Sequence, residues 1–135
     1  MKGDRGTALV SKDNKVLMIF RRKNGSEYHV LPGGHVEEGE TDEYATIREL
    51  FEETTIIAEV EEKLISFKDA NKRTHHIFLC KYISGVPKLA GNSIEVERAS
   101  ENNYYNPMWV DTKEIKNLSI WPDETKNFLI EYFSK

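Results

Sequence analysis

The chain has a single cysteine, Cys80, so no internal disulfide can form and a disulfide-stapled scaffold is excluded. Its neighbours Ile77, Phe78 and Leu79 are apolar, which marks it as a buried, inert thiol rather than a nucleophile. No apolar run is long enough to span a bilayer: the longest, residues 16–20, falls far short of the roughly 20 residues required. Met1-Lys2-Gly3-Asp4-Arg5-Gly6 leads into no signal-type stretch, and a cytoplasmic location with no membrane partner is expected. A basic run is missing as well. With 19 Lys and Arg against 23 Asp and Glu, a net charge of −4, the chain lacks the basic stripe that gripping nucleic acid requires. A small anionic ligand stays compatible, because bound divalent cations would cancel negative charge locally. Internal repeats and low-complexity segments are absent too.

What is there suits an ordinary domain. The 135 residues, 39% of them hydrophobic, can bury a core without staples and are expected to form one domain over 1–135. Residues 7–10 and 16–20 read as neighbouring strands, the second apolar on both faces and hence central and buried. Asn24-Gly25-Ser26 is a turn, and residues 28–31 form a third strand, stopped by Pro32-Gly33-Gly34. Strand-like runs follow at 57–67 and 74–83, with a short one at 108–110. The polar stretch 88–106 has little periodicity and reads as a functional loop. A last helix begins with Pro122 at its first position, with Phe128, Leu129, Tyr132 and Phe133 along one stripe. The class is α/β, with helices packed on a sheet.

The clearest helix covers residues 41–55. Thr41 can cap it, and Asp42 and Glu43 sit in the first turn, where the helix dipole favours negative charge. Ile47, Leu50, Phe51 and Thr54 recur at the spacing of a core face. On the opposite face Glu49, Glu52 and Glu53 stand at i, i+3 and i+4, so their carboxylates emerge together. Like charges so placed destabilise a bare helix by roughly 0.2–0.5 kcal/mol per pair. Crowding raises their pKa values unless a cation lies among them. Clustered carboxylate oxygens suit hard cations such as Mg²⁺ or Mn²⁺. A solvated acidic face is the plain alternative, and the segment before the helix weighs against it.

That segment is Leu31-Pro32-Gly33-Gly34-His35-Val36-Glu37-Glu38-Gly39-Glu40. Gly34, five residues, Glu40, seven residues, then Arg48-Glu49-Leu50-Phe51-Glu52-Glu53-Thr54-Thr55-Ile56 closely resembles the box of the Nudix (MutT-like) hydrolases, here residues 34–56. From average composition the matched positions coincide by chance on the order of once in 10⁸ starting points. Thr55 is the one departure: the family has glycine there, just past the helix, where a left-handed conformation is common. The departure bears on the helix end more than on the chemistry.

The resemblance implies an α/β/α sandwich with a mixed sheet between helices. It also implies hydrolysis of a nucleoside diphosphate linked to another group, with Mg²⁺ or Mn²⁺. Glu52 and Glu53 would ligate the ion, with Glu49 as a further ligand or the base and the Gly33 carbonyl as another oxygen ligand. Arg48 would hold a carboxylate by a charge-assisted hydrogen bond, and Glu40 would orient Arg48 or a water. A diphosphate bridge repels nucleophiles, and divalent ions offset its charge and activate water, so a carboxylate cage suffices without a covalent nucleophile.

Outside the box, Arg21 and Arg22 are candidates for substrate phosphates, although alternation lets only one of them point at the site. Tyr104 or Tyr105, or Trp109, offers a face for a purine to stack on, with ordinary packing the alternative. Glu95, Glu97 and Glu101 are candidates for an extra catalytic acid. His75 and His76 are adjacent, so on a strand they face opposite ways and do not form a ligand pair. A small nucleotide is the expected partner, and pairing of two copies stays open. The competing reading is a Nudix-fold sensor that binds a nucleotide without cutting it. Such modules usually lose box acids, whereas Glu49, Glu52 and Glu53 are all present.

Overall fold

Three strands carry apolar side chains on both faces, and the layering follows from them. In the computed structural model, which describes residues 3–88 and 103–134, strands β1 (Arg5–Lys12), β2 (Lys15–Lys23) and β6 (Thr74–Ser84) lie within one sheet. Leu9, Val16, Met18 and Ile77 point into one core cluster, and Ala8, Val10, Leu17, Phe78 and Cys80 point into the other. A strand buried on both faces needs a layer on each side. Helix α1 (Asp42–Thr54) supplies Leu50 to the second cluster, and helix α2 (Asp123–Phe133) supplies Leu129 to the first. The result is the expected α/β/α sandwich.

The remaining strands are β3 (Ser26–Val30), β4 (Gly33–His35), β5 (Ile57–Lys68) and β7 (Asn103–Asp111), and a 3₁₀ helix spans Thr112–Asn117. The main path runs β3-β2-β1-β6-β5, with β4 paired to β1 and β7 to β2. β1 and β6 are parallel, in the register Leu9 with Leu79, while β1 pairs antiparallel with β2 and β4, so the sheet is mixed. Asp13 and Asn14 join β1 to β2 with positive φ at both residues, as a two-residue hairpin turn requires. Among the described residues no helix is long and apolar enough to cross a membrane.

Two expectations need correction. Phe51 is 47% exposed, and the buried face of α1 is Ala45, Thr46, Leu50 and Thr54. The helix is rotated toward its small residues because it lies close on β1. A Cβ at Gly6 would come within 2.4 Å of Thr46 Oγ1 and 2.9 Å of the Asp42 carbonyl, so only glycine admits this approach. Residues 103–106 belong to β7 rather than to a loop, paired in register with β2 from Asn103 opposite Lys23 to Asp111 opposite Lys15. Cross-strand partners, not apolar alternation, define this strand, and Phe20 meets Tyr104 edge-on at 6.2 Å. The candidate acids Glu95, Glu97 and Glu101 lie outside the described residues. Strand β4 had no signal at all, because Gly33 and Gly34 have no strand propensity and form it only by pairing with β1.

The helix end explains how threonine replaces glycine. Thr55 caps α1 in the left-handed region, φ 62 and ψ 5, with its amide donating to the Phe51 carbonyl. Its hydroxyl donates to the Val86 carbonyl at 3.0 Å, and the Lys88 amide donates to the Thr54 carbonyl. The segment after β6 is thereby laced to the helix end. Relief of the left-handed cost is worth about 1–2 kcal/mol, and loss of one exposed hydrogen bond subtracts about 0.5 kcal/mol. Thr55→Gly is therefore expected to raise stability by roughly 0.5–1.5 kcal/mol in urea denaturation. Thr55→Val, which keeps the strain and loses the hydroxyl, should lower it. Destabilisation by glycine would show that the Val86 contact outweighs the strain.

Candidate functional site

The site is organised around one guanidinium. Thr41 caps α1 by accepting from the Tyr44 amide at 3.1 Å and so fixes the start of the helix that carries Arg48, Glu49, Glu52 and Glu53. Arg48 reaches acceptors on four residues, two of them in its own helix. Its Nε and Nη2 grip Glu40 Oε2 and Oε1 at 2.6 and 2.9 Å. Its Nη1 donates to Glu49 Oε1 at 2.9 Å and to Glu52 Oε1 at 3.0 Å, and Nη2 also reaches the His35 carbonyl at 3.2 Å. The loop before the helix, strand β4 and two box acids thus share one cation.

The charges respond accordingly. The Arg48 guanidinium, and next the Glu37 amide, hold the Glu40 carboxyl down at about 2. Glu40, and after burial Glu52, push the Arg48 guanidinium above its already high value. Glu53 reaches the glycine turn directly, its Oε1 accepting from the Gly33 amide at 2.8 Å. At Gly34 a Cβ would lie 1.5 Å from Glu49 Oε2, so the turn packs onto the carboxylate with no room for a side chain. Glu49 and Glu52 meet at Arg48 Nη1 and Glu53 at the amide of buried Gly33, so each box acid offers carboxylate oxygens beside the glycine turn. That chemistry fits a hard divalent cation.

Beside Glu53 opens a cavity of about 410 Å³. Of the two adjacent arginines, Arg21 lines it, together with Lys23 from the same face of β2. Arg21 donates to the Tyr105 hydroxyl at 2.6 Å and lies 4.4 Å above the Tyr105 ring. Arg22 points the other way, paired with Glu27 at 2.9 Å and 5.6 Å from the Tyr104 ring. The strand pair therefore splits the four candidates: Arg21 and Tyr105 line the cavity, and Arg22 and Tyr104 do not. Trp109 packs against Tyr82, 5.8 Å away, on the α1 side of the sheet.

Sequence reasoning missed Arg5, Arg73 and Trp121, which also line the cavity. No linear signal joins them. Arg5 arrives because β1 registers it opposite His35 and His75. Arg73 arrives on the turn between β5 and β6, with its Nε donating to the Gly3 carbonyl at 3.2 Å.

The two histidines do face opposite ways. His75 is buried, stacked on Phe67 at 4.9 Å and 2.9 Å from Asp69 Oδ2. Burial lowers its pKa despite the Asp69 contact. Burial also opposes ionisation of Asp69, but hydrogen bonds from His75 and the Arg73 and Asn71 amides hold its carboxyl below the usual range. His76 lies 2.8 Å from Asp4 Oδ2 and 3.7 Å from Asp42 Oδ2, with Ser66 on its other nitrogen. These three side chains could together hold an ion near the N-terminus of α1, apart from the box acids. Cys80 is buried, and its thiol is pushed up to about 12 by that burial, consistent with an inert group.

The chain is similar in sequence and in fold to known proteins. The family model described as NUDIX domain matches residues 3–130. The ADP-ribose pyrophosphatase of Methanocaldococcus jannaschii is 37% identical over 119 residues, covering 84% of this chain and 70% of that protein. The oxidized purine nucleoside triphosphate hydrolase of Mus musculus is 30% identical over 123 residues, covering 87% and 71%. In fold, the solution structure of the E. coli ORF135 protein superimposes with a TM-score of 0.70 at 21% identity, covering 99% of this chain and 91% of that one.

The Glu40–Arg48 grip has a definite pH signature. The Glu40 carboxyl is depressed from 4.5 to about 2 in the fold, so its contribution to stability is present above pH 4.5 and is lost as pH falls through about 2. Urea midpoints of the parent and Glu40→Gln should differ at neutral pH and converge across that window. A gap independent of pH would mean that Glu40 acts through packing rather than charge.

Proposed function

The chain belongs to the Nudix family and is a Nudix pyrophosphohydrolase; from that premise we propose that residues 1–135 act as one Nudix domain using Mg²⁺ or Mn²⁺ to cut a phosphoanhydride bond. The substrate is a nucleoside diphosphate joined to a further group. One observation carries the reading: Arg48 gathers Glu40, Glu49 and Glu52 at the glycine turn while Glu53 sits at the mouth of a cationic cavity. Acids and bases are thus divided between two walls of one cleft.

In this reading Glu52 and Glu53, the Gly33 carbonyl and, as ligand or base, Glu49 hold the ion. When bound, the ion supplies positive charge that offsets the bridging phosphate oxygens and favours ionisation of an attacking water. Glu49, which accepts from Arg48 at 2.9 Å, serves in this reading either as a further ligand or as the base that takes a proton from that water. Arg48 acts as a positioning residue that keeps Glu49 and Glu52 in fixed rotamers. Arg21 donates to a phosphate oxygen, and Tyr105 orients its guanidinium instead of stacking on a base. The two relatives differ in the group beyond the diphosphate, and both names fall within this class of reaction.

Glu53→Gln is expected to lower kcat by at least about 100-fold with Mg²⁺ while the unfolding transition stays cooperative. Product release from a nucleotide panel, followed by chromatography, measures it. Undiminished turnover in this variant would remove Glu53 from the ion site. Gly34→Ala should depress metal affinity more than stability, because its methyl group meets the Glu49 carboxylate end.

A further inference from the structure

The cavity beside Glu53 holds more positive charge than one diphosphate bridge calls for. Among the described residues four cationic side chains, Arg5, Arg21, Lys23 and Arg73, line it against a single carboxylate, Glu53. They come from separate elements: Arg5 from β1, Arg21 and Lys23 from β2, and Arg73 from the turn before β6. Burial lowers the Arg5 pKa; Glu53 and then Glu49 oppose that shift, while nearby Arg73 and then Arg21 add to it. Glu53 offsets part of this repulsion, and the remaining excess of cations in a partly dry cleft favours a bound anion.

Each guanidinium is oriented by a neutral acceptor, and of the three Arg5 also feels the Glu53 and Glu49 carboxylates. Arg5 donates to the Leu31 carbonyl at 3.3 Å, Arg21 to the Tyr105 hydroxyl, and Arg73 to the Gly3 carbonyl. The Nε of Arg21 is shielded from solvent and has no acceptor among the described residues, a cost that an anionic ligand would remove.

Arg73 sits on a built support. The turn from residue 69 to 73 closes on buried Asp69, whose Oδ1 accepts from the Asn71 and Arg73 amides at 2.8 and 3.1 Å. Its Oδ2 lies against His75 at 2.9 Å. The buried carboxylate thus holds the turn from which Arg73 lines the cavity, together with Glu53 and Arg21.

The geometry points to a substrate whose phosphate chain continues beyond the bridge at the carboxylate helix, a nucleoside triphosphate or longer, with Arg73 selecting it. A neutral sugar at that place would leave the converging cations unmatched, since its hydroxyls offer no compensating charge. The inference rests on the hydrolase reading, because the box acids must hold the bridge for the extra phosphate to fall among the arginines. Asp69 is the positioning residue for Arg73.

Two measurements test it on the full chain. The first is kcat/KM for ATP and GTP against ADP-ribose and UDP-glucose with Mg²⁺, in the parent and in Arg73→Ala, Arg73→Lys and Asp69→Asn. The parent should favour the triphosphates, and Arg73→Ala should lower their kcat/KM about tenfold more than that of the sugar-linked substrates. Arg73→Lys should recover part of this, and Asp69→Asn should raise KM for the triphosphates with little change in kcat. The second is calorimetric binding of inorganic tripolyphosphate and pyrophosphate to metal-free protein, where Arg73→Ala should weaken tripolyphosphate more. Equal losses for all substrates, or a parent preference for ADP-ribose, would overturn the inference and leave the hydrolase reading standing. Absence of all turnover would sink the hydrolase reading, and the calorimetric ranking would still decide which anion the arginines prefer.

Discussion

Arg48 binds in four directions, and the site has its shape because of it. A guanidinium offers donors in a fixed planar fork, so the bidentate grip on Glu40 and the bonds to Glu49, Glu52 and the His35 carbonyl cannot be met by any one loose arrangement of the chain. The loop from residue 36 to 40, which follows β4, has no regular structure of its own. Its attachment to α1 through Arg48 turns it into one wall of a cleft. Without that cation, the box acids would repel one another and the glycine turn would lose its seat.

The same economy appears in the contact between helix and sheet. Gly6 lets α1 descend onto β1, and Gly34 lets β4 descend onto Glu49. Side chains at either place would lift the acids away from the sheet edge where the cavity opens. Close approach of backbone is thus what brings carboxylates from a helix and guanidinium groups from two strands and a turn to one cleft. Core packing keeps them there: Leu50 is fully buried among Ala8, Val10, Leu17 and Phe78, so the helix cannot roll.

Charge is sorted as well as gathered. On the helix wall, acids outnumber the single arginine that holds them. On the sheet wall, Arg5, Arg21, Lys23 and Arg73 face Glu53 alone among the described residues. Such a division suits a ligand that carries dense negative charge and meets a cation on the acidic side. The net charge of the whole chain, −4, conceals this entirely. Composition excluded a nucleic-acid stripe, but it carried no information about a local basic pocket.

Local regularities determined what could be read from the chain alone. The helix period placed Glu49, Glu52 and Glu53 on one face, the box spacing identified the family, and alternation separated Arg21 from Arg22. These are consequences of geometry within a few residues, so no distant partner could alter them. The tertiary structure decided the rest. Phe51 faces solvent because the helix settles on its small residues, and β4 exists because β1 offers it an edge. Residues 103–106 are extended because β2 holds them in register, and Arg5 and Arg73 meet across the cavity although 68 positions apart. Those outcomes depend on contacts between distant segments, whose energies are set only when the chain has closed on itself.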